Sequence, residues 1–350
     1  MFDHLLTRHA TAVPPADARA DRAFALGARR HIAAWLALTT CAFSLGAQAA
    51  PAAPAKSVAV TAVVEHPALD AVRDGVREAL KRAGYEEGKN LRWQYQSAQG
   101  NTATASQIAR KYVGDRPDAI VAIATPSAQA VVAATRDVPV VYSAVTDPVA
   151  AQLVKSLDAS GSNVTGVSDA LALEKQIELI TKIVPQAKRV GIVYNPGEAN
   201  SAVVVKALQN LLPKSGMTLV EAAAPRTVDV ASAARSLIGK VDVFYSNTDN
   251  NVTSAYEALA KVAMDVKIPL IASDTEAIKR GAAAALGVNY RDLGLQTGTL
   301  VVRILKGEAP GSIPSQTSDK VELHLNRGVA EKQGVVFSDA LIKSAAHVIQ

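Results

Sequence analysis

From Val58 onward the chain alternates short, wholly apolar runs with longer stretches in which apolar residues recur every three or four positions. The first pattern suits strands buried on both faces, and the second suits helices that cover them. Val58 to Val64 predicts a strand. After the loop Glu65-His66-Pro67, a helix carries Leu69, Val72, Val76, Leu80 and Ala83 on one face and stops at Gly84. Asp118 to Ala124 predicts a second strand, and Thr125-Pro126-Ser127 opens another helix. Val138 to Ala144 predicts a third strand, ending at Thr146-Asp147-Pro148.

The plan then recurs. Arg189 to Tyr194 predicts a strand, Asn195-Pro196-Gly197 a loop, and Ala199 to Leu212 a helix closing near Gly216. Asp242 to Ser246 predicts a strand, Asn247-Thr248-Asp249-Asn250 a polar turn, and a helix follows to about Val266. The strand Ile268 to Ala272 leads into Ser273-Asp274. A repeat this long means two α/β lobes of one Rossmann-like architecture, each a parallel sheet flanked by helices. Two such lobes leave a cleft faced by the carboxyl ends of both sets of strands.

Polar residues collect at those ends. Glu65, Thr125, Ser127, Thr146 and Asp147 do so in the first half; Asn195, Asn200, Ser201, Asp249, Asn250 and Asp274 do so in the second. In Thr125-Pro126-Ser127 the Thr caps a helix and Pro takes its first position, which leaves free N–H groups suited to a carboxylate. Asp147, Asp249 and Asp274 each serve either as a helix cap or as a receptor for a ligand ammonium. At His66-Pro67 the histidine either touches the ligand or stands in a loop that the proline merely shapes, and the second reading is preferred. Trp93, Tyr142, Tyr194, Tyr245 and Tyr290 are the candidates for stacking on a ring, against packing as the alternative. Asn163-Val164-Thr165-Gly166 joins the halves as a hinge or as a plain linker turn, with Gly166 supplying backbone freedom.

Composition changes the picture mainly at the start of the chain. Arg29-Arg30-His31 precede an apolar stretch from Ile32 to Leu45, then Ala47-Gln48-Ala49 and the Ala/Pro-rich Ala50 to Lys56. This is the layout of a secretory signal peptide over residues 1–49, with a linker over 50–56. The apolar stretch falls short of the roughly 20 residues a membrane-spanning helix needs. Cys41, the sole cysteine, lies inside it, so the mature chain has no disulfide, Cys-based metal site or thiol nucleophile. Thr39-Thr40 are poor matches to the residues that precede a lipidated cysteine, which favours soluble export to the periplasm. Removing the five Arg and three Asp of residues 1–49 lowers the formal charge from +5 to +3. No basic run with interleaved aromatics stands out, so nucleic acid is not an expected partner. The mature chain shows no Gly-x-Ser-x-Gly, His-Glu-x-x-His, phosphate loop or Gly-x-Gly-x-x-Gly, and so no metal or cofactor is expected.

One ordered set of short motifs is specific. His66-Pro67-Ala68-Leu69-Asp70, Val145-Thr146-Asp147-Pro148, Asn163-Val164-Thr165-Gly166, Tyr194-Asn195-Pro196 and Thr248-Asp249-Asn250 follow one another, then Ser273-Asp274, Lys279-Arg280-Gly281 and Leu305-Lys306-Gly307. From about Val58 to its C-terminus the chain resembles the ABC-transporter substrate-binding family associated with tryptophan and tyrosine uptake. The resemblance implies the type I periplasmic-binding-protein fold with a multi-stranded hinge. It also implies ligand capture by lobe closure and delivery to an ABC permease in the inner membrane; characterised members favour aromatic amino acids. The lobes it implies are discontinuous, 57–165 with 289–312 and 166–288 with 313–350. Ligand contacts are implied at Thr125, Ser127, Thr146, Asp147, Asn200, Ser201, Asp249, Asn250 and Asp274, with Ser127 departing from the Ala more usual there.

The resulting expectation is a periplasmic solute-binding protein that is not an enzyme and holds an amino-acid-like ligand. Thr125, Ser127 and Thr146 would hold its carboxylate, and Asp249 or Asp274 its ammonium. A ligand sensor for a membrane receptor is the alternative, and a carboxylate-dependent hydrolase a more distant one. A repressor on the same two-lobed scaffold would need a DNA-binding module ahead of Val58, where the signal segment stands. A racemase with facing cysteines would need thiols that the mature chain lacks.

Overall fold

The computed structural model describes residues 54–318 and 320–350. The expected signal segment, Cys41 and most of the expected linker lie outside them. The first lobe starts with β1 (Lys56–Ala62), α1 (Pro67–Arg82), β2 (Leu91–Ser97) and α2 (Thr102–Asp115). It continues through β3 (Ala119–Ile123), α3 (Thr125–Ala134), β4 (Val140–Val145) and β5 (Val164–Ser168). The second lobe takes α4 (Leu173–Ile183), β6 (Arg189–Tyr194), α5 (Ala199–Leu211), β7 (Thr218–Ala223) and α6 (Val230–Ser236). To these it adds β8 (Val243–Ser246), α7 (Asn250–Ser254), α8 (Tyr256–Asp265), β9 (Leu270–Ala272) and β10 (Ala284–Val288). The chain then returns to the first lobe for α9 (Tyr290–Leu305) and β11 (Gln316–Thr317). It ends in the second lobe with β12 (Val321–Asn326), α10 (Arg327–Lys332), α11 (Asp339–Ser344) and β13 (His347–Ile349).

The first sheet runs β11-β5-β4-β3-β1-β2 and is parallel throughout. Its inner strands β1, β3 and β4 are largely apolar on both faces because helices cover both. Val58, Val60 and Ala62 pack under α1 and α9, while the intervening Ala59 packs under α2 and α3. The second sheet runs β13-β12-β10-β9-β8-β6-β7. Only β12 against β10 is antiparallel among its described pairs. The reason is direction of entry: β6 to β10 end at the cleft, whereas β12 begins there, having just crossed from the other lobe.

Several local expectations shift. The strand passages between lobes fall after Ser168, Val288 and Thr317, so β5 and β11 belong to the first sheet. The expected breaks at 165/166 and 312/313 therefore come a few residues early, the first of them inside β5. Gly166 is not a flexible joint. It lies within β5, where a Cβ would sit 2.3 Å from the Tyr142 carbonyl oxygen and 2.4 Å from its ring, so the glycine is required by close approach. The helix after β8 breaks at Ala255 into α7 and α8. Thr125 does not cap α3 but is its first residue; the cap position is Ala124, held at φ 70°.

Candidate ligand site

A cavity lies between the lobes where the strands end. The first lobe contributes His66 and Leu69 from the start of α1, Thr125 from the start of α3, and Thr146 after β4. Asp169 and Tyr290, each just past a passage between lobes, contribute from the hinge. The second lobe contributes Asn200 at the start of α5, Thr248 and Asn250 after β8, and Asp274 after β9. Thr146 Oγ1 and Thr248 Oγ1 share a hydrogen bond of 3.2 Å across the cleft, so the lobes stand closed. In that arrangement the cavity is tight, about 20 Å³. Beyond the two threonines lies an apolar recess of about 200 Å³, walled by Leu171, Leu173, Val203, Val204 and Ala207.

Four buried side-chain atoms at this cavity have no protein partner: His66 Nδ1, Thr125 Oγ1, Asp169 Oδ1 and Asn200 Oδ1. Ser127 Oγ, in the same first turn as Thr125, is likewise buried and unpartnered. Folded chains rarely leave such groups unsatisfied, and several meeting at one point mark a place built for a polar guest. Two of the lining residues are acids and none is Lys or Arg. Burial pushes the Asp274 carboxyl up to about 6, and burial also raises Asp169, which Tyr290 Oη partly offsets by donating to Oδ2 at 3.0 Å. Burial, then the Arg280 charge, pulls His66 down to about 3, so its imidazole is neutral at physiological pH. The cavity thus has unneutralised acid at the hinge and second lobe. Opposite lies the positive end of α3 with two free hydroxyls.

Of the expected contacts, Thr125, Thr146, Asn200, Asn250 and Asp274 line this cavity, and Ser127 flanks it. Glu65 does not: it is exposed and accepts from Gln99 Nε2 at 3.0 Å. Asp147 caps the turn that follows it, accepting from Val149 N and Ala150 N at 3.0 and 2.8 Å, and faces the apolar recess. Asp249 is wholly buried and already satisfied. It accepts from Asn195 N at 2.7 Å, Ser201 Oγ at 2.6 Å and Val252 N at 3.0 Å, so it is a cap rather than an ammonium receptor. Ser201, committed to it, lies behind the wall. Among the stacking candidates Tyr290 reaches the cavity and Tyr245, though buried in the second-lobe core, lines the adjoining recess; Tyr142 is a core residue, Trp93 packs against the first-lobe core and Tyr194 donates to Glu221.

His66, whose ligand contact is the less favoured reading of its loop, lines the cavity, as do Asp169, Thr248 and Thr253, which the strand-end pattern does not pick out. Only His66 had a visible signal, its place between a strand and Pro67. Asp169 follows β5, a strand too short and too rich in Thr, Gly and Ser to stand out as an apolar run.

Two closed lobes, a strand-built hinge and a shared cavity with orphaned polar groups define a solute trap of the type I periplasmic-binding-protein architecture. The chain belongs to the ABC transporter substrate binding protein family, whose profile it matches over residues 57–349. It is 42% identical over 271 residues to a tyrosine-binding protein of Clostridioides difficile, covering 77% of this chain and 79% of that one. Among solved structures it resembles an ABC domain from Streptococcus pneumonia in complex with L-Trp. There the TM-score is 0.81 and the identity 31%, covering 84% of this chain and 100% of that one. It also resembles the ligand-free, open structure of a substrate-binding protein with adhesive properties from Clostridium difficile. That match has TM-score 0.64 and 40% identity, covering 84% of this chain and 99% of that one. The lower score at higher identity fits a difference in lobe arrangement, open there and closed here.

Proposed function

We propose that this chain is the exported solute-binding component of an ABC importer, and that its ligand is an aromatic amino acid. The observation that carries the reading is the set of unpartnered polar atoms from both lobes around a cavity lined by two acids, a neutral histidine and no Lys or Arg. Such a site calls for a guest that brings its own positive charge. The Thr125 and Ser127 hydroxyls and the free N–H groups of α3 suit that guest's carboxylate, and Asp274, with Asp169 behind it, suits its ammonium. The tight cavity means that the lobes must part to admit a ligand. The apolar part of the ligand has Leu69 and the Tyr290 ring inside and the adjoining recess beyond. Relatives named for tyrosine binding and for an L-Trp complex support the aromatic class. Export through residues 1–49 and delivery to a permease belong to the same proposal. Among the described residues no helix is long and apolar enough to cross a membrane.

The test is thermal unfolding of ligand-stripped protein with L-tryptophan, L-tyrosine, L-phenylalanine and a panel of other amino acids. A ligand at 100 times its Kd stabilises the protein by about 2.7 kcal/mol. Stabilisation by other amino acids alone would overturn the aromatic class; stabilisation by none would overturn the amino-acid reading.

A further inference from the structure

The second lobe sends two amides into the cavity, Asn200 and Asn250, and one carboxylate holds both from behind. Glu198 Oε2 accepts from Asn250 N at 3.1 Å, Asn250 Nδ2 at 2.6 Å and Asn200 Nδ2 at 3.2 Å. Glu198 itself is buried, and it is not among the residues that line the cavity. Asn200 Nδ2 also donates to the Thr248 carbonyl at 3.0 Å. With both of its N–H groups committed, the Asn200 amide has one orientation left. Its Oδ1 is buried without a protein partner. An oxygen so fixed in a lining residue is an acceptor for a ligand N–H. Asn250, held twice by the same carboxylate oxygen, faces His66 of the first lobe.

We propose that Glu198 is a positioning residue for the ligand: it fixes Asn200 as an acceptor for the ligand ammonium and holds Asn250 against the first lobe in the closed state. The proposal rests on the amino-acid reading of the site. The charge of Glu198 is part of the device, since an ionised acceptor holds N–H donors more strongly than a neutral one. Its nearest charged neighbour is Asp249, at the start of α7, and neither acid has a salt-bridge partner among the described residues. Asp274 and Asp169 lie on the cavity, His66 across it is neutral, and Arg280 is engaged by Glu257. Burial, then the Asp249 charge, raises the Glu198 carboxyl above the usual carboxylate range. Acidification therefore neutralises Glu198 earlier than an exposed glutamate and loosens its hold on both amides.

Calorimetric titration of L-tyrosine and L-tryptophan into wild type, Glu198→Gln and Glu198→Ala at two pH values tests this. At about pH 8, where an ionised glutamate and a neutral glutamine differ most, Glu198→Gln binds about tenfold more weakly, a difference of about 1.4 kcal/mol. At about pH 5.5 the ratio of the two Kd values shrinks toward one, because protonated Glu198 and glutamine are then alike. Asp274 and Asp169 titrate in both proteins and cancel in that ratio. Glu198→Ala is weaker still; if it does not fold, the glutamine ratio alone decides. A ratio near one at the higher pH, or a ratio unchanged by pH, would overturn the assignment and leave Glu198 a packing residue. A wild type that binds neither amino acid overturns the reading of the site and this assignment with it.

Discussion

Tyr290 Oη donates to Asp169 Oδ2 at 3.0 Å, and this bond ties together two of the chain's three passages between the lobes. Asp169 follows β5 and Tyr290 opens α9, so the contact stands at the hinge while both residues line the cavity. Tyr290→Phe leaves a buried carboxyl without its donor. The expected loss is about 1–3 kcal/mol of ligand-free stability at neutral pH, read by urea unfolding. Without the donor, Asp169 is raised further, so the deficit should narrow on acidification as that acid takes up its proton. An unchanged unfolding midpoint would show that the bond contributes nothing to holding the hinge.

Thr125 should behave in the opposite way. Its Oγ1 is buried with no protein partner, so Thr125→Val removes a group that the fold leaves unsatisfied, at almost constant shape. Ligand-free stability is expected to rise by about 1 kcal/mol, while affinity for L-tryptophan falls by about tenfold as a ligand hydrogen bond is lost. Thermal unfolding and a binding titration on the same sample check both signs. A variant that loses stability would mean the hydroxyl has a role within the fold.

Asp274 gives the site a pH dependence with two signs. Its folded-state pKa, about 6 through burial, lies above the unfolded value. Its contribution to ligand-free stability is therefore present below the ordinary carboxylate range, about pH 4, and is lost as pH rises through about 6. Ligand affinity runs the other way, since only the ionised carboxylate receives an ammonium. From pH 7 toward pH 5, wild type should become relatively more stable and bind more weakly. Asp274→Asn should bind weakly throughout and lose this group's share of both trends. Equal pH profiles for the two proteins would remove Asp274 from the ammonium contact.

Much of this was legible in the sequence where physics is local. The strands β1, β3, β4, β6 and β8 announce themselves because helices cover both faces and their interior positions are mostly apolar. That their ends carry the site follows from the parallel arrangement. What escaped depends on partners far along the chain. Asp249 looked like an ammonium receptor until Asn195 and Ser201, more than forty residues earlier, were seen to satisfy it. Asp169 and Glu198 lie in unremarkable tetrapeptides; the folded chain brings the first to the cavity and sets the second behind Asn200 and Asn250. Gly166 suggested freedom, whereas the approach of Tyr142 makes it a constraint.

Helix α9 comes from the far end of the sequence yet lies backbone to backbone on α1. A Cβ on Gly75 would stand 2.4 Å from the Arg291 carbonyl oxygen, and one on Gly294 would stand 2.3 Å from that of Val72. While the chain is being made, α1 therefore has nothing to cover its glycine-bearing face until residue 305 has emerged. The second lobe waits longer still, since β12 and β13 follow α9 in the chain. Each lobe is thus completed only by elements made after most of the other, which ties the maturation of the two together.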